Sequence, residues 1–150
     1  TPETGIALQS RGAGFVTTPG HPNCIAPSKR PLHTIIPAMV RENGRVAMSF
    51  GVMGGDYQPM GHTAVMVNRY VYGMDPQEAI DFPRALLKQG IVGIEDGISD
   101  AVADGLRQRG HQIERVKKPW GGGQAIAIDH ETGLLSGGSD PRKDGLALGY

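Results

Sequence analysis

Apolar residues along this chain change period several times, and each change predicts an element. From His33, "HTIIPAMVRENGRVAMSFGVMG" carries two strand-like runs separated by Glu42, Asn43 and Gly44. Asn-Gly supplies the positive φ angles that a tight reversal needs, so a hairpin is predicted. Between residues 57 and 73 the period lengthens. Met60, Ala64, Val67 and Val71 fall at helical spacings on one predicted buried face, and Gly73 ends the run. Asp75, Pro76 and Glu78 supply an N-cap, a first-position proline and a capping-box partner, predicting a short second helix closed by Pro83. A strand-like "GIVGIED" follows, then a third helix capped by Ser99, with Val102 and Leu106 on one face and Gly110 at its exit. "HQIERV" and "GQAIAIDHETGLLSGGSD" read as strands, the latter turning at "HETG". Residues 5 to 28, "GIALQSRGAGFVTTPGHPNCIAPS", set glycines and prolines around short apolar pieces and read as a long functional loop or a broken strand. The order β-β-α-α-β-α-β-β-β predicts the α+β class, with helices packed on a mainly antiparallel sheet.

Composition narrows the functional classes. A chain of 150 residues fits a single domain with a sizeable core. Fifteen basic residues balance fifteen acidic ones, so no net field draws nucleic acid or an anionic membrane, and neither is expected as a partner. The one cysteine, Cys24, cannot close an internal disulfide, so the fold does not depend on an oxidising compartment. No apolar run approaches the roughly 20 residues needed to span a bilayer, and "TPETGIALQS" lacks the layout of a signal peptide. The chain reads as soluble; the cytoplasm is favoured, with the periplasm, secretion and a homo-oligomeric state left open.

The stretch "MSFGVMGGDYQPMGH" places Gly54 and Gly55 between a strand and a helix. Without Cβ atoms, two such peptide units can turn their N–H groups toward a bound atom near the partly positive start of a helix. That arrangement serves either a phosphate or the oxyanion of an acyl-transfer intermediate. A phosphate loop wants Lys followed by Ser or Thr after the glycines, whereas Asp56 follows here and would repel a polyanion. The simpler alternative is a tight turn with Asp56 as N-cap.

Several longer motifs now converge. "PSKRPLHTIIPAMV", "FGVMGGDYQPMGHTAVMVNRYVYGMDPQEAIDFPR", "GGGQAIAID" and "GGSDPRKDGLALGY" resemble, in order, the C-terminal part of the gamma-glutamyltranspeptidase family, in its transpeptidase-like and acylase-like branch. The resemblance covers essentially the whole chain. It implies a self-cleaving precursor whose small subunit starts with a nucleophilic Thr, within an αββα sandwich of the N-terminal-nucleophile type. It also implies a hydrolase or acyltransferase acting on a γ-glutamyl or related amide, a large subunit of the same precursor as partner, and no metal or organic cofactor. Gly54 and Gly55 match the family's oxyanion-binding pair. His33 and Thr34 match the two adjacent serines that hold the α-carboxylate of the glutamyl group. Arg11 matches the Gln or Glu before the family's Met-Asp-Asp, and Gly14 falls where the amino-binding Asp should stand. The lost carboxylate removes a partner for a substrate ammonium, while Arg11 adds a donor fork suited to a carboxylate.

Thr1 begins "TPETGI", which resembles a segment downstream of the family's catalytic Thr and lacks its Thr-x-x-Ser-Val-Val-Asp setting. Residues 1–150 are therefore expected to be part of a small subunit, with the nucleophile in residues upstream. The rival expectation is a non-catalytic binding or assembly domain that keeps the fold without a working pocket.

Other candidates are weaker. His21 and Cys24 sit at a metal-like gap in "HPNC", but the other histidines are scattered and a zinc site takes three or four ligands. His62 on the first turn of the predicted helix reads as a capping or surface residue. Trp120 in "KKPWGGGQ" reads as a hydrophobic anchor.

Overall fold

The Asn-Gly reversal forms where the sequence places it. In the computed structural model, which describes residues 1–149, Asn43 and Gly44 have φ of 50° and 80°. They join β1 (Ala38–Glu42) to β2 (Arg45–Met53) in antiparallel register. β2 pairs next with β6 (Gly122–Ile128), and β6 with β7 (Leu135–Ser139), giving an antiparallel sheet in the order β1-β2-β6-β7. Along β2 the period of two puts Met48, Phe50 and Val52 on one buried face, joined there by Ala125 and Ala127 of β6.

Two helices cover that face. α1 (Gln58–Tyr70) contributes Val65, and α2 (Pro76–Asp81) contributes Ala79 and Ile80. Each fully buried branched side chain of this kind contributes about 1.5–3 kcal/mol. The α2 capping box is complete: Glu78 N–H donates to Asp75 Oδ1 at 2.8 Å, and Asp75 N–H donates to Glu78 Oε2 at 2.9 Å. α1 buries a different face from the one its apolar spacing predicts. The inward residues are Gly61, Val65 and Asn68, while Met60 and Val71 are exposed. Asn68 is accommodated because its amide donates to the Ala79 carbonyl at 3.1 Å. Met60, Ala64 and Val67 instead line an open groove of about 290 Å³ with Phe82 and Pro83.

One strand is absent from the predicted order. β3 (Ala85–Lys88) pairs antiparallel with β4 (Ile91–Ile94) across a reversal in which Gln89 and Gly90 have φ of 52° and 85°. α3 (Asp100–Gln108) then crosses over to β5 (Gln112–Arg115), which lies parallel to β4. Ser99 caps α3 through Val102 N–H, but the helix buries Ala103 and leaves Val102 exposed.

By contacts the chain divides into two units, Thr1–Ile35 and Ile36 onward, and every element above belongs to the second. The first holds a 3-10 turn at Arg11–Gly14 and an isolated bridge between Val16 and Cys24.

Candidate active site

The Gly54–Gly55 turn stands at the end of β2, one 3-10 turn (Gly55–Tyr57) ahead of α1. Gly54 has φ 131° and Gly55 has φ 57°, values that side chains adopt only with strain. Both residues are exposed, and neither N–H has a hydrogen-bond partner among the described residues. Asp56 is not the N-cap of α1. That position belongs to Tyr57 without a side-chain bond, and the Asp56 carboxylate instead accepts from Lys88 Nζ at 2.8 Å. This bond, with the Lys88 charge, lowers the exposed Asp56 pKa.

What fixes the turn lies beneath it. A Cβ on Gly54 would meet Gly121 Cα at 2.9 Å, and one on Gly121 would meet the Met53 carbonyl at 2.6 Å, so the two backbones touch. Tyr57 is fully buried below, its ring stacked on Trp120 with centroids 6.1 Å apart and the Arg84 guanidinium 5.6 Å from its centre. Burial pushes the Tyr57 phenol above its ordinary pKa. Trp120 is thus the hydrophobic anchor that its sequence context suggests.

Around Trp120 runs a buried ionic cluster that no sequence spacing announces. Arg84 donates to Asp140 Oδ2 at 2.5 Å and to the Trp120 carbonyl at 2.5 Å. Glu95 accepts from Trp120 N–H at 3.3 Å, from Arg84 N–H at 3.0 Å and from Arg142. Asp140, with no exposed surface, also accepts from Gly123 N–H at 2.6 Å and Arg142 N–H at 2.9 Å. Burial alone would raise the Asp140 pKa, but these two N–H groups and Arg84 outweigh it and hold the carboxyl below its ordinary value. The only hint in the sequence is that Pro83-Arg84 and Ser139-Asp140-Pro141-Arg142 lie in the motifs that carry the resemblance.

Arg11, His33 and Thr34 fall in the first unit. The structure brings two of them together: half-buried Arg11 donates through Nη1 to Thr34 Oγ1. Arg11 has no carboxylate partner among the described residues, and residues 1–35 contain a single acidic side chain, Glu3. His33 is exposed and makes no hydrogen bond among the described residues. Four of the guanidinium's five N–H donors remain for other acceptors.

The remaining candidates have local roles. His62 faces two backbone carbonyls, Gln58 at 2.8 Å and Ile36 at 2.9 Å. His21 Nδ1 accepts from Asn23 N–H at 3.0 Å, and no group of three or more metal-ligating side chains occurs among the described residues.

The family described as gamma-glutamyltranspeptidase matches residues 1–150. The glutathione hydrolase-like YwrD proenzyme of Bacillus subtilis is 38% identical, over 98% of this chain and 30% of its own length. The oxamate amidohydrolase proenzyme of Klebsiella pneumoniae is also 38% identical, over 99% of this chain and 30% of its own length. Cephalosporin acylase from Bacillus halodurans superposes with a TM-score of 0.84 at 42% identity, over 98% of this chain and 28% of that one. A mutant of Helicobacter pylori gamma-glutamyltranspeptidase gives 0.80 at 30% identity, over 93% of this chain and 83% of that one. This chain spans about 30% of the length of the curated relatives it matches. Its helix-covered antiparallel sheet is the α+β fold of the N-terminal-nucleophile hydrolases, part of an αββα sandwich. The chain belongs to the gamma-glutamyltranspeptidase family.

Proposed function

We propose that this chain is the oxyanion-binding and carboxylate-binding part of an amide hydrolase or acyltransferase. Its nucleophile would be an N-terminal Thr exposed by cleavage of a common precursor, in residues upstream of those described here. The observation that carries the reading is that Gly54 and Gly55 are exposed residues whose N–H groups have no partner among the described residues, in a chain of this family. When the threonine hydroxyl adds to an amide carbonyl, the oxygen gains a full negative charge. Two preorganised donors then stabilise the transition state more than the ground state, at about 3 kcal/mol per donor in comparable acyl-transfer enzymes. The free amine of the same threonine would take the hydroxyl proton.

The substrate we favour carries a carboxylate on its acyl side. Arg11, hydrogen-bonded to Thr34, is a half-buried cation without a carboxylate partner among the described residues, and a guanidinium grips a carboxylate through two parallel N–H bonds; His33, next to Thr34 in the chain, is a proposed second donor. Gly14 offers no charge to a substrate ammonium, which argues for an acyl amide lacking one over an ordinary γ-glutamyl group. The large subunit of the same precursor is the proposed partner, and the scheme needs no cofactor.

The test uses the full-length gene product. Mass spectrometry should find it cleaved ahead of a Thr, and it should hydrolyse monoamides of dicarboxylic acids faster than γ-glutamyl anilides. A full-length protein that stays intact and hydrolyses neither class contradicts the proposal.

A further inference from the structure

We propose that Arg84, Glu95 and Asp140 are positioning residues for the Gly54–Gly55 turn, acting through the Trp120–Gly123 segment. The inference rests on the oxyanion reading above and extends it to residues that touch no substrate.

The geometry is that of a strap pinned at both ends. At one end the Trp120 backbone is held on both sides: its N–H donates to Glu95 Oε1 at 3.3 Å and its carbonyl accepts from Arg84 Nη1 at 2.5 Å. At the other end Gly123 N–H donates to Asp140 Oδ2 at 2.6 Å, and Gly123 O accepts from Asp140 N–H at 3.0 Å. Arg84 and Asp140 also bond to each other, so the two pins are one unit. Between them lies Gly121, the residue against which Gly54 packs with no room for a methyl group. Gly122 is paired with Met53 at the end of β2. A shift of the strap therefore moves the peptide units that carry the two free N–H groups.

The cost of this arrangement indicates its use. A buried ion pair contributes little net stability, and an apolar replacement of equal volume often does as well. What it supplies is direction, because a carboxylate and a guanidinium bound at several atoms each allow one arrangement of the backbone they hold. An oxyanion site depends on such fixity, since a displacement of about 1 Å can cost roughly a hundredfold in rate.

The test compares four variants of the full-length enzyme, with rates per titrated active site. Arg84→Lys keeps the charge near Asp140 but cannot also reach the Trp120 carbonyl with the same fork. Asp140→Asn keeps the shape and removes the charge. Both should lower kcat about tenfold or more and leave KM within about twofold. Gly55→Ala should lower kcat similarly, and the double variant Gly55→Ala with Arg84→Lys should lose much less than the product of the single losses. If Gly55→Ala leaves kcat unchanged, the oxyanion reading itself fails. If Gly55→Ala slows the enzyme but Arg84→Lys and Asp140→Asn do not, or if the losses multiply, the positioning role is overturned while the oxyanion reading stands. Where a variant precursor is not cleaved, hydrogen exchange on that precursor replaces kinetics. Exchange over residues 50–57 should quicken in Arg84→Lys with α3 unchanged, and unchanged exchange over residues 50–57 overturns the inference.

Discussion

At the scale of single residues, substitution is constrained wherever a Cβ has nowhere to go or a charge has nothing else to hold. Gly54 is confined by positive φ and by Gly121, whereas Gly55 has only its φ of 57° against it and open space beyond. A side chain in that left-handed region costs about 1–2 kcal/mol, so Gly55→Ala is the gentler probe of the turn. Arg11 is a residue of the opposite kind, half-buried beside Thr34 and without a carboxylate partner among the described residues. Arg11→Ala should raise KM for a carboxylate-bearing amide about tenfold or more with kcat little changed, as expected when binding common to ground and transition states is removed. Unchanged Michaelis parameters would take Arg11 out of the site. The Gly-Gly pair, Arg11 and the His33–Thr34 pair are candidates proposed from the sequence, because the motifs around them resemble a family. The burial of Arg84, Glu95 and Asp140 could not. Asp140 and Arg84 are 56 positions apart in the chain, and no local spacing says that they meet.

At the scale of elements, local chemistry was legible and tertiary choice was not. The Asn43–Gly44 hairpin, the α2 capping box and the Ser99 cap each depend on neighbours within four residues, and each forms as the sequence suggests. β3 escaped because its turn uses Gln89 at φ 52°, a conformation that Asn or Gly would have advertised. The buried face of α1 differs from the one its apolar spacing predicts for a related reason: a count of apolar positions passes over Gly61 and Asn68. Gly61 faces inward because Tyr57 fills its place; a Cβ there would meet Tyr57 Cε1 and Val52 Cγ1 at 2.7 Å each. Helix propensity alone makes Gly61→Ala stabilising by about 1 kcal/mol. Overpacking a filled core costs about 1–3 kcal/mol, and Tyr57 and Val52 are both buried, with little freedom to move. Gly61→Ala should therefore lower the unfolding midpoint of the protein, and a higher Tm would show that the Tyr57 ring yields.

At the scale of the whole molecule, the buried cluster joins segments far apart in sequence: Arg84 before β3, Glu95 after β4, Trp120 before β6 and Asp140–Arg142 after β7. This makes stability sensitive to acid. The Asp140 carboxyl has a folded pKa below its ordinary value. Its stabilising contribution is therefore complete above the unfolded value of about 3.9 and is lost as pH falls through the lower folded value. The Tm of the full-length protein should fall as pH drops below about 4, and Asp140→Asn should flatten part of that slope. An identical acid slope in the two proteins would show that Asp140 contributes nothing to it. The general class of fold was within reach of the element order, since strands and helices succeed one another as an α+β chain does. The helix predicted between β4 and β5 is the crossover that a parallel pair needs, so that pairing too was within reach of the order, although a mainly antiparallel sheet is all the order was read to give.

In the proposed function the Gly54 and Gly55 N–H groups receive the charge that forms as the amide breaks down. The most direct measurement is a crystal structure of the full-length enzyme carrying a covalent phosphonate that mimics the tetrahedral intermediate. One phosphonate oxygen is expected about 2.7–3.1 Å from both backbone nitrogens. A phosphonate oxygen held by other donors, with both glycine N–H groups turned away from it, would contradict it.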